Sequence, residues 1–144
     1  MKLSWSRKWV RSSQKRKQRK YRHNAPLHIR HKFVSAHLSP DLRRQFGKRS
    51  LPLRKGDEVE VMVGKFKGFK GEVNRVDLNK CKVYVEGIKI KKADSSDVAR
   101  ALEPSNLKIM KLKLDDKKRQ MALDRAGKKE LQKPAAKKEV KKAK

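Results

Sequence analysis

Residues 64–71 of this 144-residue chain read GKFKGFKG: Gly64, Gly68 and Gly71 alternate with Lys65, Lys67 and Lys70. Glycine lets a backbone approach closely and lysine neutralises an anion, so the stretch has the makings of a phosphate-holding loop. Two enzymatic versions fail on spacing. A Walker A loop requires G-x-x-x-x-G-K-[ST], with its hydroxyl on magnesium; here Phe69 follows Gly68 and no hydroxyl is near. A dinucleotide fingerprint requires G-x-G-x-x-G at the start of a helix; here the glycines are four and then three apart, between alternating valines. The glycines are left with a backbone task. All three read as turn-forming, Gly64 ending one strand and Gly71 letting the next begin close against a neighbour. The lysines would face outward, toward the phosphates of a polymer.

Other chemistry is poorly supplied. The four histidines are His23, His28, His31 and His37, and only His28 and His31 have an i, i+3 spacing suited to a shared ligand. Cys81 lies far from them, and no carboxylate precedes Asp41 nearby. Contact with phosphate or solvent is the better reading, so no metal and no cofactor is expected. No nucleophile–base pair stands out. Cys81 shares a strand parity with Val83 and Val85 and is expected in the core. The chain is not expected to be an enzyme.

Charge names the partner. The sequence carries 43 Lys+Arg against 15 Asp+Glu, a net of +28. Such a chain repels itself unless a polyanion neutralises it, and nucleic acid gains most from each cation through released counterions. The excess is uneven: net +17 over residues 1–55, +4 over 56–114 and +7 over 115–144. The middle therefore holds the core and the ends are basic extensions. No run approaches the roughly 20 apolar residues of a membrane helix, and MKLSWSRKWVRSS lacks a signal-peptide h-region. One cysteine excludes an internal disulfide and fits a reducing compartment. No membrane insertion and no homo-oligomer are expected.

The elements follow from periodicity. Residues 1–23 form a basic extended arm without an apolar period, interrupted by Trp5, Trp9 and Tyr21, which suit either stacking on bases or packing on the chain's own domain. Residues 24–54 read as a connector of short helices. Asn24 and Pro26 would start the first; Ser39, Pro40 and Asp41 start the second, with Leu38, Leu42 and Phe46 on one face and Gly47 as the stop. From 55 to 114 the period becomes two. Val59, Val61 and Val63 mark one strand and Val73 to about Asp77 a second. A turn at Leu78-Asn79-Lys80 leads to a third, broken by Gly87. Ile88 and Ile90 suggest a fourth, and Val98–Leu102 and Leu107–Leu112 one or two more, divided by Pro104. Several short strands in about 60 residues predict a mostly β fold, a small, strongly curved barrel. Asp115 and Asp116 would open a short helix over 115–127, ended by Gly127, and 128–144 is a basic tail expected to be disordered.

The residues also carry a resemblance. Lys55-Gly56-Asp57-x-Val59-x-Val61 followed by Gly64-Lys65-x-Lys67-Gly68-x-x-Gly71-x-Val73 resembles a KOW motif, the mark of small SH3-like barrels in ribosomal proteins and transcription elongation factors. Tyr21-Arg22-His23-Asn24-Ala25-Pro26-Leu27-His28-Ile29-Arg30, Leu38-Ser39-x-x-Leu42-Arg43 and Arg49-Ser50-Leu51-Pro52-Leu53-Arg54-Lys55 are more specific. They resemble the large-subunit ribosomal protein family numbered twenty-four in the universal scheme, in its archaeal and eukaryotic form, called twenty-six in eukaryotes. The resemblance covers roughly residues 18–126. It implies a barrel docked on large-subunit rRNA near the mouth of the nascent-chain exit tunnel, beside neighbouring large-subunit proteins in the cytoplasmic ribosome. It further implies a part in subunit assembly, with the nascent chain or exit-site factors as additional partners. The expected rRNA contacts are Arg16, Lys17, Arg19, Lys20, Arg22, Asn24, His28 and Arg30 in the arm and first helix, Arg43, Arg44, Arg49 and Arg54 in the connector, and Lys65, Lys67 and Lys70 on the loop. The rival readings are a KOW-domain transcription or RNA-processing factor and a basic chromatin protein.

Overall fold

The computed structural model describes residues 5–6 and 12–131, with side chains through Arg125. Three short helices and two strands come first: α1 (Lys15–Asn24), α2 (Leu27–Phe33), β1 (Ser35–Leu38), α3 (Pro40–Phe46) and β2 (Ser50–Pro52). Then follow β3 (Glu58–Val61), β4 (Lys70–Asp77), β5 (Lys82–Lys91) and β6 (Asp97–Leu102), a turn of 3-10 helix at Pro104–Asn106, β7 (Leu107–Lys111) and α4 (Lys117–Leu131).

The alternation of valine with glutamate in β3 does what its period requires: Val59 and Val61 are buried and Glu58 and Glu60 lie on the other face. Val73, Val83, Val85, Ile88, Leu107 and Ile109 complete the centre of the core from the neighbouring strands. The sheet has seven strands in the order β2-β1-β7-β3-β4-β5-β6, antiparallel except where β1 runs parallel to β7. The fold is mostly β and of the SH3-like kind, but it is not a closed barrel. β1 occupies the edge of β7 at which closure would occur, and among the described residues β2 and β6 remain the two ends.

The connector departs from its all-helical expectation. Its second helix forms as read: Ser39 Oγ accepts from the amide of Leu42, Pro40 opens α3, and Gly47 ends it at φ 58°. Between and after the helices, however, Ser35–Leu38 and Ser50–Pro52 become strands. They add Ala36, Leu38 and Leu51 to the core, with Val34 and Leu53 beside them. Four- and three-residue strands are too short to show a period; the edge of β7 supplies the partner of β1, and β1 that of β2.

Local differences have local causes. Val63, read as the last inward valine of its strand, lies beyond β3 and is 61% exposed. Lys70 and Gly71 lie inside β4 rather than in a turn. Gly87 does not break its strand: β5 runs through it at φ 79°, with a register shift against β6 that marks a bulge, so the third and fourth strands of the sequence reading are one. Cys81 sits one residue before β5 at φ 52°, half-buried against the core, its thiol 3.5 Å from the Leu78 carbonyl.

The arm is helical over Lys15–Asn24, although it buries nothing. Lys, Arg and Gln are good helix formers, which a search for apolar period overlooks. Trp5 fastens it: the indole stacks on Tyr21 with ring centroids 5.0 Å apart and donates Nε1–H to the Tyr21 carbonyl. At the other end α4 continues past Gly127 to Leu131. Trp9 and the tail from residue 132 lie outside the described residues.

Candidate nucleic-acid interface

The loop joining β3 to β4 is built by backbone hydrogen bonds. The amide of Gly68 donates to Val61 O at 2.8 Å and Val61 N to Phe69 O at 2.9 Å. Lys67 N reaches Gly64 O, and Phe69 N reaches Phe66 O, at 3.1 and 3.0 Å. Gly64 and Gly68 take φ of 97° and 83°, the region where a side chain is strained, with open space around both. Gly71 serves differently. Its backbone is extended within β4, and a Cβ there would stand 2.9 Å from Val85 Cγ1 and 3.0 Å from Glu86 O. It permits close approach rather than a turn. Phe66 folds inward against the core, while Lys65, Lys67 and Lys70 are exposed and form no ion pair among the described residues.

In α1, Arg16, Lys17, Arg19, Lys20 and Arg22 are all exposed, and the helix contains no acid. Gln18 and Tyr21, three apart, make the half-buried stripe that orients them; Gln18 Nε2 donates to Ser12 O at 2.6 Å. Arg22 lies 5.7 Å over the ring of Phe33. Asn24 faces His23, and His28 is exposed on α2. Arg30 differs from the other arginines of the set. Its guanidinium donates to the carbonyls of Ala25 and Asn79, both at 2.9 Å, and to that of His23. It ties the α1–α2 corner to the β4–β5 turn. Arg43 donates to Leu38 O at 2.8 Å but remains exposed, as are Arg44 and Arg49. Arg54 is paired with Asp116.

Two acids of β3 pair with bases of β7. Glu58 and Glu60 pair with Lys111 and Lys108 at 2.8 and 2.9 Å, directly across the β3–β7 ladder. Side-chain hydrogen bonding from Glu58, then its charge, holds the Lys111 ammonium above its ordinary range. Asp57, fully buried, meets Arg119 of α4. Among the described residues, Arg16, Lys17, Arg19, Lys20, Lys65, Lys67 and Lys70 have no such partners.

Cations outside the expected set are exposed as well: Lys55 and Arg75 by one pocket, and Lys91, Lys92 and Arg100 along β5 and β6. Arg75 stands 4.7 Å over the Tyr84 ring. The run Lys89-Ile90-Lys91-Lys92 is visible in the sequence, but its period signals only a strand. His31 is half-buried, and burial first, then the charges of Arg54 and Arg119, pushes its imidazole below the ordinary histidine range. Among the described residues no cluster of three or more His, Cys, Asp or Glu is placed to hold a metal.

A small SH3-like sheet with a KOW-type loop and, among the described residues, basic side chains without acidic partners defines the class of small basic KOW-type proteins. Residues 12–126 match the family of ribosomal proteins that comprises eukaryotic L26 and its archaeal L24 counterpart. Curated relatives agree. The large ribosomal subunit protein uL24 of Methanosphaera stadtmanae is 47% identical over 114 residues, covering 79% of this chain and 97% of that protein. Its counterpart from Methanothrix thermoacetophila is 49% identical over 114 residues, covering 79% and 98%. The chain belongs to this ribosomal protein family, and is a structural constituent of the large subunit of the cytoplasmic ribosome.

Proposed function

We propose that the chain binds large-subunit rRNA through the exposed cations of α1 and of the 64–70 loop, with Arg43, Arg44 and Arg49 as further contacts. One observation carries the reading: the acids Asp57, Glu58 and Glu60 are neutralised inside the fold, whereas Arg16, Lys17, Arg19, Lys20, Lys65, Lys67 and Lys70 are exposed without an ion-pair partner among the described residues. Such cations favour phosphate and sugar contacts, with specificity from RNA shape. Arg30 and Arg54 act in this account by positioning the α1–α2 corner and α4. Asn24 and His28 flank the same corner.

The division into a basic arm (1–23), connector (24–54), SH3-like unit (55–114), helix (115–127) and tail (128–144) assigns RNA contact to the arm and loop and structural support to the connector strands. By family resemblance, the docking place is near the nascent-chain exit tunnel, beside neighbouring large-subunit proteins. Assembly of the subunit, and contact with the nascent chain or exit-site factors, belong to the same proposal. Chemical footprinting of the full chain on isolated large-subunit RNA tests it: protection should fall on a compact set of helices around the tunnel mouth. Protection scattered over the RNA, or none, would overturn the placement.

A further inference from the structure

Beside the β3–β4 loop runs a groove of about 730 Å³. Val63, Lys65 and Phe66 line one side of it, and Ile90, Arg100 and Leu102 the other. Its character differs from the rest of the basic surface. Val63 is 61% exposed and Ile90 38% exposed, so apolar surface continues past the end of the core into the groove. Cations border it: Lys65, Lys91 and Arg100 are exposed and without ion pairs among the described residues, while Lys82 and Lys89 are matched by Glu103 and Asp97.

Apolar surface bordered by unpaired cations fits a ligand with both an anionic backbone and exposed apolar faces. A duplex in A-form offers phosphates and hydroxyls but keeps its base faces stacked, whereas a single strand offers both. Resting on the rRNA reading above, we propose that this groove holds an unstacked, single-stranded stretch of RNA. Its base faces lie on Val63, Phe66 and Ile90, and its phosphates lie at Lys65, Lys91 and Arg100. The α1 and loop cations then hold RNA by its backbone, and the groove selects unpaired segments.

The test compares the full chain on a single-stranded oligoribonucleotide containing 2-aminopurine with the same sequence as a duplex. The parent should change the 2-aminopurine fluorescence and bind the single strand. Val63→Ser with Ile90→Ser should weaken single-strand binding about tenfold, the order expected for losing apolar contact with the base faces. Duplex binding should stay within about twofold. Both sites are exposed, and Arg100→Gln provides a second variant that leaves the apolar residues intact: it should lower the salt slope for the single strand by about one. Equal losses on both RNAs, or no loss on either, would overturn the groove assignment while leaving rRNA binding standing. A parent that binds neither oligonucleotide would also overturn the groove assignment, whereas the rRNA reading falls only if the parent fails to bind large-subunit RNA. If the double variant instead loses only a leucine-containing oligoglutamate peptide, the groove serves a protein and the proposal fails.

Discussion

Arg119 of α4 places both terminal nitrogens 2.7 Å from the two carboxylate oxygens of Asp57, and both side chains are buried. The carboxylate also accepts the amides of Arg54 and Lys113, at 2.9 and 3.1 Å, while the guanidinium donates to the carbonyls of Lys113 and Pro52. One pair therefore joins the end of the connector, the start of β3, the segment after β7 and the C-terminal helix. Removing either partner strands a buried charge, which costs about 3–5 kcal/mol. Asp57→Ala and Arg119→Ala should each lower stability by that order in urea unfolding. The double variant should lose clearly less than the sum, and additive losses would contradict the pairing.

Near the same pair, His31 is held below its ordinary pKa of 6.5 by burial and by Arg54 and Arg119. The unfolded chain takes up the proton first as pH falls, so this group favours folding above 6.5 and withdraws that support as pH drops below it, until the folded-state imidazole titrates too. Stability measured from pH 7 to pH 5 should decline, and His31→Gln should flatten part of the decline. An unchanged slope would place the titrating group elsewhere.

Gly68 and Gly71 separate two reasons for glycine. At Gly68 the obstacle is φ of 83° with open space around it; at Gly71 it is Val85 and the Glu86 carbonyl. Alanine at 68 should cost about 1–2 kcal/mol, and asparagine, which tolerates the left-handed region, should recover part of that. At 71, valine should cost about 1–3 kcal/mol by overpacking β4 against β5, and asparagine should bring no relief. Thermal unfolding of the four variants decides; relief by asparagine at both positions would contradict the distinction.

The sheet centre was legible because Val59, Val61, Val73, Val83 and Val85 follow a strict period and glycine marks its turns. The cap of α3 was legible because Ser39, Pro40 and Gly47 act within a few residues of one another. β1 and β2 were not, because β2 pairs only with β1, and β1 in turn pairs with β7, some 70 residues on. Arg119 was not, because a buried arginine looks like any other in a basic helix until Asp57 is brought to it. Charge revealed the class of partner, but it could not show that Arg30 and Arg54 are engaged within the chain while Lys91 and Arg100 make no ion pair among the described residues. Composition counts cations; only the fold shows which of them have acids.

The central claim is that the loop and arm cations sit against rRNA phosphates. It is tested most directly by the salt dependence of full-chain binding to large-subunit RNA, for the parent and for Lys65→Ala with Lys67→Ala and Lys70→Ala. Each lost phosphate contact should reduce the slope of log K against log salt by roughly 0.7–0.9, so the triple variant should fall by about two units with its fold intact. A slope equal to the parent's would mean that the loop faces away from the RNA.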